Sequence, residues 1–338
     1  MSIDMHAHWV PEPLCEALRQ RTTPPMIAKG EDGRDYLTAG FGPGPLAPPE
    51  ALESRLADMD RCGVEHAVLS VTPVYGIEAL PAAEALPLCR AINDALAAAC
   101  AAHPTRFSAL ATLPTGDMPA ALAEFDRAMG LPGMVGSLLP GDGFLSKQRA
   151  ERFRPLFAAA DRLAAIFLVH YARIGDDPDA PRVDKSDNAH ARMGSLDMQA
   201  RISSNMVTFC MTDFLDAYPD VTVLCHNLGG NLPFEIERLD HRSIIDRPAD
   251  ELPSARVRRA RVMVDCNSLG ARSIELAADL YGARRIVLGT DGTAFGMDWS
   301  NKAIAEARIG EADRRAIFHD NAAAALARVR RPAAAAAE

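Results

Sequence analysis

Residues Ile3 to Pro11 read IDMHAHWVP, and the fold turns on how that stretch ends. Asp4, His6 and His8 alternate with Ile3, Met5 and Ala7, the two-residue period of a β-strand with one polar and one apolar face. A strand that opens an α/β chain leads into either a closed barrel or an open, doubly wound sheet. The open sheet that binds dinucleotides places a glycine-rich turn directly after its first strand, where backbone must approach a pyrophosphate. Here the strand runs into Trp9, Val10 and Pro11, so that turn is missing.

Seven more short apolar or β-branched runs follow: Glu65 to Thr72, Phe107 to Leu113, Gly133 to Leu139, Ile166 to Tyr171, Val221 to Asn227, Val262 to Asn267 and Ile286 to Asp291. Ala- and Leu-rich helical patterns separate them, among them Pro81 to His103, Pro119 to Met129, Arg149 to Leu163, Ile202 to Tyr218 and Ser273 to Tyr281. Strand alternating with helix predicts a parallel sheet whose faces are covered by helices. Eight such units fit a closed barrel or an open sheet by count alone.

Two segments break the rhythm. Residues 11–49 are rich in Pro, Gly and charge and read as an insertion of loops or a small hairpin after the first strand, placed to form a lid over the strand ends. Arg173 to Ser195 is a polar loop after the fifth strand, with an acid-rich piece from Asp176 to Asp187; loops this long are more often functional than merely connective. Residues 330–338 read as an alanine-rich tail that frays. The expected unit therefore spans 1–329.

The 338 residues are 48% hydrophobic and 24% charged, which excludes a disordered chain, a collagen-like repeat and a small disulfide-stapled module. A formal net charge of −9 disfavours nucleic acid as a partner. Seven cysteines with no CxxC pair indicate buried thiols in a reducing compartment, not a disulfide framework or zinc finger. The N-terminus has no basic segment leading into an apolar one, and no run approaches ~18 apolar residues, so we expect a cytoplasmic protein without a membrane partner.

The chemistry concentrates at strand ends. Residues two apart on a strand share a face, so His6 and His8 can meet one metal ion, with Asp4 expected on that same face, either supporting the ligands from behind or as a buried structural acid. His170 and His226 each end an apolar strand, and Asp291 ends the strand that begins at Ile286. Strand C-termini face the active site in parallel α/β folds. A lone histidine or a turn-capping aspartate would be ordinary; four strands ending this way are not. Three imidazoles with one carboxylate make a borderline-hard donor set suited to Zn²⁺ or another divalent transition ion, leaving one histidine free to move a proton.

These motifs, Ile3 to Pro11, Val169 to Tyr171 (VHY), Cys225 to Phe234 (CHNLGGNLPF) and Gly289 to Asp291 (GTD), together with Asp58 to Val64 (DMDRCGV) and Ile92 to Phe107 (INDALAAACAAHPTRF), resemble the amidohydrolase superfamily over nearly the whole chain. Within it they are most similar to the branch of 2-amino-3-carboxymuconate-6-semialdehyde decarboxylase and related aromatic-acid decarboxylases. The resemblance implies a TIM-type (β/α)8 barrel, one divalent metal ion, Zn²⁺ or Mn²⁺, held by His6, His8, His170 and Asp291, no organic cofactor, and His226 acting from outside the ligand set. It also implies a homodimer, with Arg242 at the subunit interface. Binuclear branches use a carboxylated lysine on the fourth strand, and Gly133 to Leu139 contains none. Two motifs depart from the decarboxylase pattern: Tyr171 follows His170 where that pattern has Pro, and Thr290 to Phe295 replaces SDYPF. The insertion also lacks the segment that carries a carboxylate-binding Arg.

Two reactions use these parts. A non-oxidative decarboxylase would grip an unsaturated or aromatic acid and protonate the carbon that loses carbon dioxide. A hydrolase would direct metal-activated water at a cyclic amide, lactone or vinylogous carbonyl. In either, His226 is a general base or a donor to a substrate oxygen, and Asp291 is both ligand and proton carrier. A metal-binding scaffold without turnover would be expected to lack these two groups. The partner is a small molecule: Trp9, Tyr75, Tyr171 and Phe295 are candidates to stack on a planar ligand, and Arg173, Arg192 and Arg242 to clamp a carboxylate.

Overall fold

The structure is a computed structural model, described here for residues 1–39, 42–45, 51–174, 188, 191–292 and 296–332. Strand β1 (Ser2–His8) is followed by β2 (Met26–Lys29), β3 (Asp35–Ala39) and β4 (Gly42–Pro45), then by β5 (Val64–Ser70), β6 (Phe107–Ala111), β7 (Met134–Pro140), β8 (Ile166–His170), β9 (Thr222–Cys225), β10 (Met263–Asp265) and β11 (Ile286–Val287). The eight expected strands, β1 and β5 to β11, lie side by side in sequence order and all run parallel. Hydrogen bonds across the seam close the ring: Met5 N–H donates to Leu288 O (2.9 Å), Asp291 N–H to His6 O (2.8 Å) and His8 N–H to Gly292 O (2.6 Å). With helices outside, this is a (β/α)8 barrel.

The last three strands are shorter than their apolar runs predict. Asn227, Ser268 and Asp291, two, three and four residues past the ends of β9, β10 and β11, adopt positive φ of 52°, 51° and 51°, left-handed turns in the loops that leave these strands. Two helices also differ from expectation. The predicted helix Ile202 to Tyr218 is Met198–Met211, because Thr212 Oγ1 donates to Thr208 O (2.6 Å) and accepts from Phe214 N–H (3.2 Å), taking over the backbone groups that would continue it. The predicted Arg149 to Leu163 is broken into Lys147–Ala150, a 3₁₀ turn Glu151–Phe153 and a helix Arg154–Leu163, since Pro155 cannot donate within a helix and suits its first turn.

The segment after β1 is more ordered than loops or a hairpin. It forms a helix, Glu12–Arg19, burying Leu14, Cys15 and Leu18, and a three-stranded antiparallel sheet, β2-β3-β4. That helix packs on Ala82–Ala102, whose Asn93 is locked in place: its side chain pairs with both backbone groups of Thr112 and, at 2.8 Å, with buried Glu124. The tail is also held further than expected. Arg330 N–H donates to Leu163 O (2.7 Å) and its guanidinium to Asp220 (2.9 Å), while Arg331 reaches Leu131 O (2.7 Å); the alanines beyond lie outside the described residues, as does most of Arg173 to Ser195.

Side chains partition into two apolar layers. Val68, Leu110, Leu138, Leu168, Leu224 and Val287 form one cluster with Ile3 and Met5; Ala7, Ala67, Ala109, Phe167, Val223 and Ile286 belong to the larger cluster beneath the helices. Ile3 and Met5 therefore do not share a face with Ala7, as strict alternation requires. The cause is a β-bulge: Asp4 pairs with Ala67 but Ala7 with Leu69, so three steps on β1 match two on β5.

Candidate metal centre

The bulge re-aims β1 where chemistry needs it. His6 and His8 turn toward one point, whereas Asp4 is diverted to the seam. There its carboxylate accepts from the N–H of His6 (3.1 Å), the N–H of Thr290 (3.1 Å) and Thr290 Oγ1 (2.6 Å). Asp4 thus touches no ligand side chain and instead pins β1 to the end of the last strand; burial raises its pKa to about 6.

His6, His8, His170 and Asp291 each bring one donor atom to a cluster in which all four lie within 4.8 Å of one another. His8 Nε2 is 3.2 Å from His6 Nε2, 3.3 Å from His170 Nε2 and 3.0 Å from Asp291 Oδ1; Asp291 Oδ1 is 3.6 Å from His6 Nε2 and 4.0 Å from His170 Nε2. Four ligands set about 2.0–2.2 Å from one ion in a tetrahedron are roughly 3.4 Å apart. The residues present fit a single divalent cation.

Each of the three clustered imidazoles is oriented by its other nitrogen. His6 Nδ1 pairs with Asp265 Oδ2 (3.0 Å), His8 Nδ1 with Ser70 Oγ (2.9 Å) and His170 Nδ1 with Tyr171 O (3.0 Å). Oxygen partners at Nδ1 favour a proton there and leave Nε2 as the lone-pair donor, the usual outer arrangement of metal-binding histidines. Gly289 makes room for the first pair, since a Cβ there would lie 2.7 Å from Asp265 Cβ and 3.0 Å from His6 Cβ. Asp265 Oδ1 accepts from the N–H groups of Asn227 (3.2 Å) and Asn267 (3.0 Å). Asn267 Nδ2 in turn donates to Asp291 Oδ2 (3.2 Å) and to Asn227 Oδ1.

Charge in the cluster follows from burial and neighbours. Burial, reinforced by His6, lowers His170 to about 3, and burial also lowers His8. Burial works against charge on His6 too, but Asp265 and Asp291 overcome it and raise it to about 9. Asp291 is held well below the carboxylate range despite burial, because His6 and His8 face it.

His226 is beside the cluster, not in it. Its ring stacks on His170 at 4.2 Å, its Nε2 accepts from Tyr171 N–H (2.9 Å), and its buried Nδ1 has no partner among the described residues. Burial, with His170 and His6 nearby, pushes its pKa well down. A neutral ring accepting at Nε2 carries its proton at Nδ1, so the group offered is an N–H donor.

The other predicted contacts are scattered. Trp9 is buried directly after His8, its N–H donating to Ser70 O (2.9 Å). Tyr75 lies buried in the turn Pro73–Tyr75, within the same apolar cluster as Cys15. The hydroxyl of Tyr171 donates to Asp197 (3.3 Å). Arg173 is exposed, Arg192 opens the turn Arg192–Asp197, and Phe295 lies outside the described residues. Arg242 is exposed on the helix Leu232–Asp246 and pairs with Asp246 (2.9 Å). Sequence reasoning missed Ser70, Asp265 and Asn267, and also Arg55, a buried arginine whose guanidinium donates to His8 O (2.5 Å). Asp265 carried a usable signal, because it too follows an apolar run, Val262 to Val264.

A one-cation site built from strand ends at the mouth of a parallel barrel defines a metal-dependent barrel enzyme. The amidohydrolase family matches residues 3–328, and the chain belongs to it. Gamma-resorcylate decarboxylase of Rhodococcus jostii is 27% identical over 317 residues, covering 85% of this chain and 92% of its own length. 2-Amino-3-carboxymuconate-6-semialdehyde decarboxylase of Dictyostelium discoideum is 26% identical over 246 residues, covering 70% of this chain and 65% of its own. A dihydroxybenzoic acid decarboxylase of Polaromonas, solved with bound manganese and 2-nitroresorcinol, shares the fold with a TM-score of 0.69 at 21% identity, covering 96% of each chain.

Proposed function

We propose that the enzyme is a metal-dependent, non-oxidative decarboxylase of an aromatic or unsaturated carboxylic acid. One observation carries this reading: the four convergent donors of His6, His8, His170 and Asp291, in a chain whose curated relatives are decarboxylases along most of their length. A divalent ion in this site would supply the Lewis acidity that polarises a substrate oxygen; manganese in related structures and the His₃Asp donor set suit Mn²⁺ or Zn²⁺.

The chain's own groups do the rest. His8 and His170 offer neutral nitrogens, and His6, charged beside Asp265 and Asp291, would release its Nε2 proton to a bound ion; the three rings are held in place by Asp265, Ser70 and the Tyr171 carbonyl. His226 donates Nδ1–H to a substrate oxygen, and its burial keeps the ring neutral. Asp291 keeps Oδ1 at the reacting centre while Asn267 holds Oδ2; ionised at rest, it would first take a proton from the substrate acid or from water and then pass that proton to the carbon that loses carbon dioxide. Tyr171, whose backbone meets both His170 and His226, is the aromatic residue placed beside the planar acid, and the small sheet after β1 is taken as the cover of the mouth. A homodimer forms through the helix Leu232–Asp246, where Phe234, Arg238, His241 and Ile245 share an exposed face beside Arg242. The protein works in the cytoplasm.

The test is a screen of the purified, Mn²⁺- or Zn²⁺-loaded enzyme with 2,6-dihydroxybenzoate, 5-carboxyvanillate and other aromatic acids, monitoring released carbon dioxide, alongside lactones and cyclic amides. Gas release supports the proposal. Acid formation from the cyclic substrates without gas selects the hydrolase instead.

A further inference from the structure

Tyr171 joins two imidazoles of the site through its backbone. Its carbonyl oxygen is 3.0 Å from His170 Nδ1, and its N–H donates to His226 Nε2 at 2.9 Å. The placement of this one residue therefore sets the ring orientation of a cluster ligand and of the histidine stacked upon it.

Its side chain is anchored in turn. The hydroxyl donates to Asp197 Oδ2 (3.3 Å), and the Arg201 guanidinium lies 5.9 Å from the ring centroid. Arg201 Nε donates to that same Asp197 oxygen (2.9 Å) and Nη1 to Asp142 Oδ1 (2.7 Å). Asp142 follows β7, and its N–H donates to Ala172 O (3.0 Å). Arg201 is 6% exposed and Asp142 1%. A surface ion pair fixes little, but a planar guanidinium out of water, with two carboxylates on its edges, holds its partners in defined geometry. The ends of β7 and β8 and the helix Met198–Met211 are thereby cross-linked around Tyr171.

We propose that Arg201 is a positioning residue: through Asp197 and Asp142 it fixes Tyr171, and through Tyr171 it holds His170 and His226 in their working orientations. This rests on His170 being a metal ligand. Affinity for Mn²⁺ and Zn²⁺ is measured by competition with a chromophoric chelator for the full-length protein, Arg201→Lys and Tyr171→Phe, with the Tm of each metal-stripped form. Arg201→Lys keeps the charge but loses the fork, and weakens metal binding by about tenfold or more. Tyr171→Phe removes only the hydroxyl and weakens it by about threefold; it decides the matter alone if the lysine variant does not fold. Arg127→Lys disturbs a different buried partner, Glu124 (2.8 Å), and lowers Tm while leaving metal affinity unchanged, which separates positioning from general loosening. Unaltered affinity in Tyr171→Phe and in folded Arg201→Lys overturns the inference and leaves the metal site standing. An unsubstituted protein that binds neither ion overturns both.

Discussion

Asp265→Asn is the sharpest perturbation available, because it keeps the shape of the side chain while removing the charge beside His6 and reversing the hydrogen bond to it. Asp265 is fully buried, with Oδ2 on His6 Nδ1 at 3.0 Å and Oδ1 accepting two backbone N–H groups. The asparagine keeps an oxygen for those two amides but presents NH₂ to His6. The imidazole must then accept at Nδ1 and carry its proton on Nε2, the atom that faces the other ligands. Outer partners of ligating histidines are typically worth 10–100-fold in metal affinity, roughly 1.4–2.7 kcal/mol. We expect at least the upper part of that range, with little loss of stability. Asp265→Leu is the contrast: it leaves two buried N–H groups unpaired, at about 1–3 kcal/mol each. Chelator competition gives the affinity, and urea unfolding of the metal-stripped protein gives the stability. Asp265→Asn protein that binds Mn²⁺ or Zn²⁺ as tightly as the unaltered chain would refute the tautomer reasoning.

His6→Ala and His8→Ala each remove a donor from the cluster and should strip the metal; undiminished metal by elemental analysis of the purified variants contradicts the ligand assignment. His226→Asn should retain metal yet lose ~10² or more in kcat, and a variant of normal speed removes the proposed role of that ring. Glu78, 3% exposed in the turn Ile77–Ala79, has its pKa raised by burial from 4.5 to about 7. The folded state holds this proton more tightly than the unfolded one, so the contribution is full below about pH 4.5 and is lost as pH rises through about 7. The loss amounts to about 3 kcal/mol. Glu78→Gln should gain stability over the unaltered protein by that order between pH 5 and pH 8 in urea unfolding, and parallel pH profiles would exclude Glu78 as the cause.

The barrel was legible because parallel strands buried on both sides must be continuously apolar, as in Ile166 to Val169 and Ile286 to Leu288. The convergent donors were legible for the same reason: His170 and Asp291 are polar side chains at the ends of such runs, HxH is a local spacing, and the four donor atoms gather within 4.8 Å. What escaped was non-local. Asp4 looked like a third member of the ligand face because period-two reasoning assumes an unbroken register, and the bulge opposite Ala67 and Leu69 exists only once β5 is paired. Arg201 finds Asp142 only when separate strand-end segments meet, so no spacing announces it. The helix Glu12–Arg19 was hidden by flanking prolines and glycines, although Leu14, Cys15 and Leu18 carry its buried stripe.

The ring of strands is joined where its first member meets its last, and His6, His8 and Asp291 stand directly on that join, their backbones hydrogen-bonded across it. An ion gripped by those three side chains would rivet the first strand to the last. Occupancy of the mouth and the resistance of the cylinder to being prised open would then be one property, and loss of the cation would loosen the hoop.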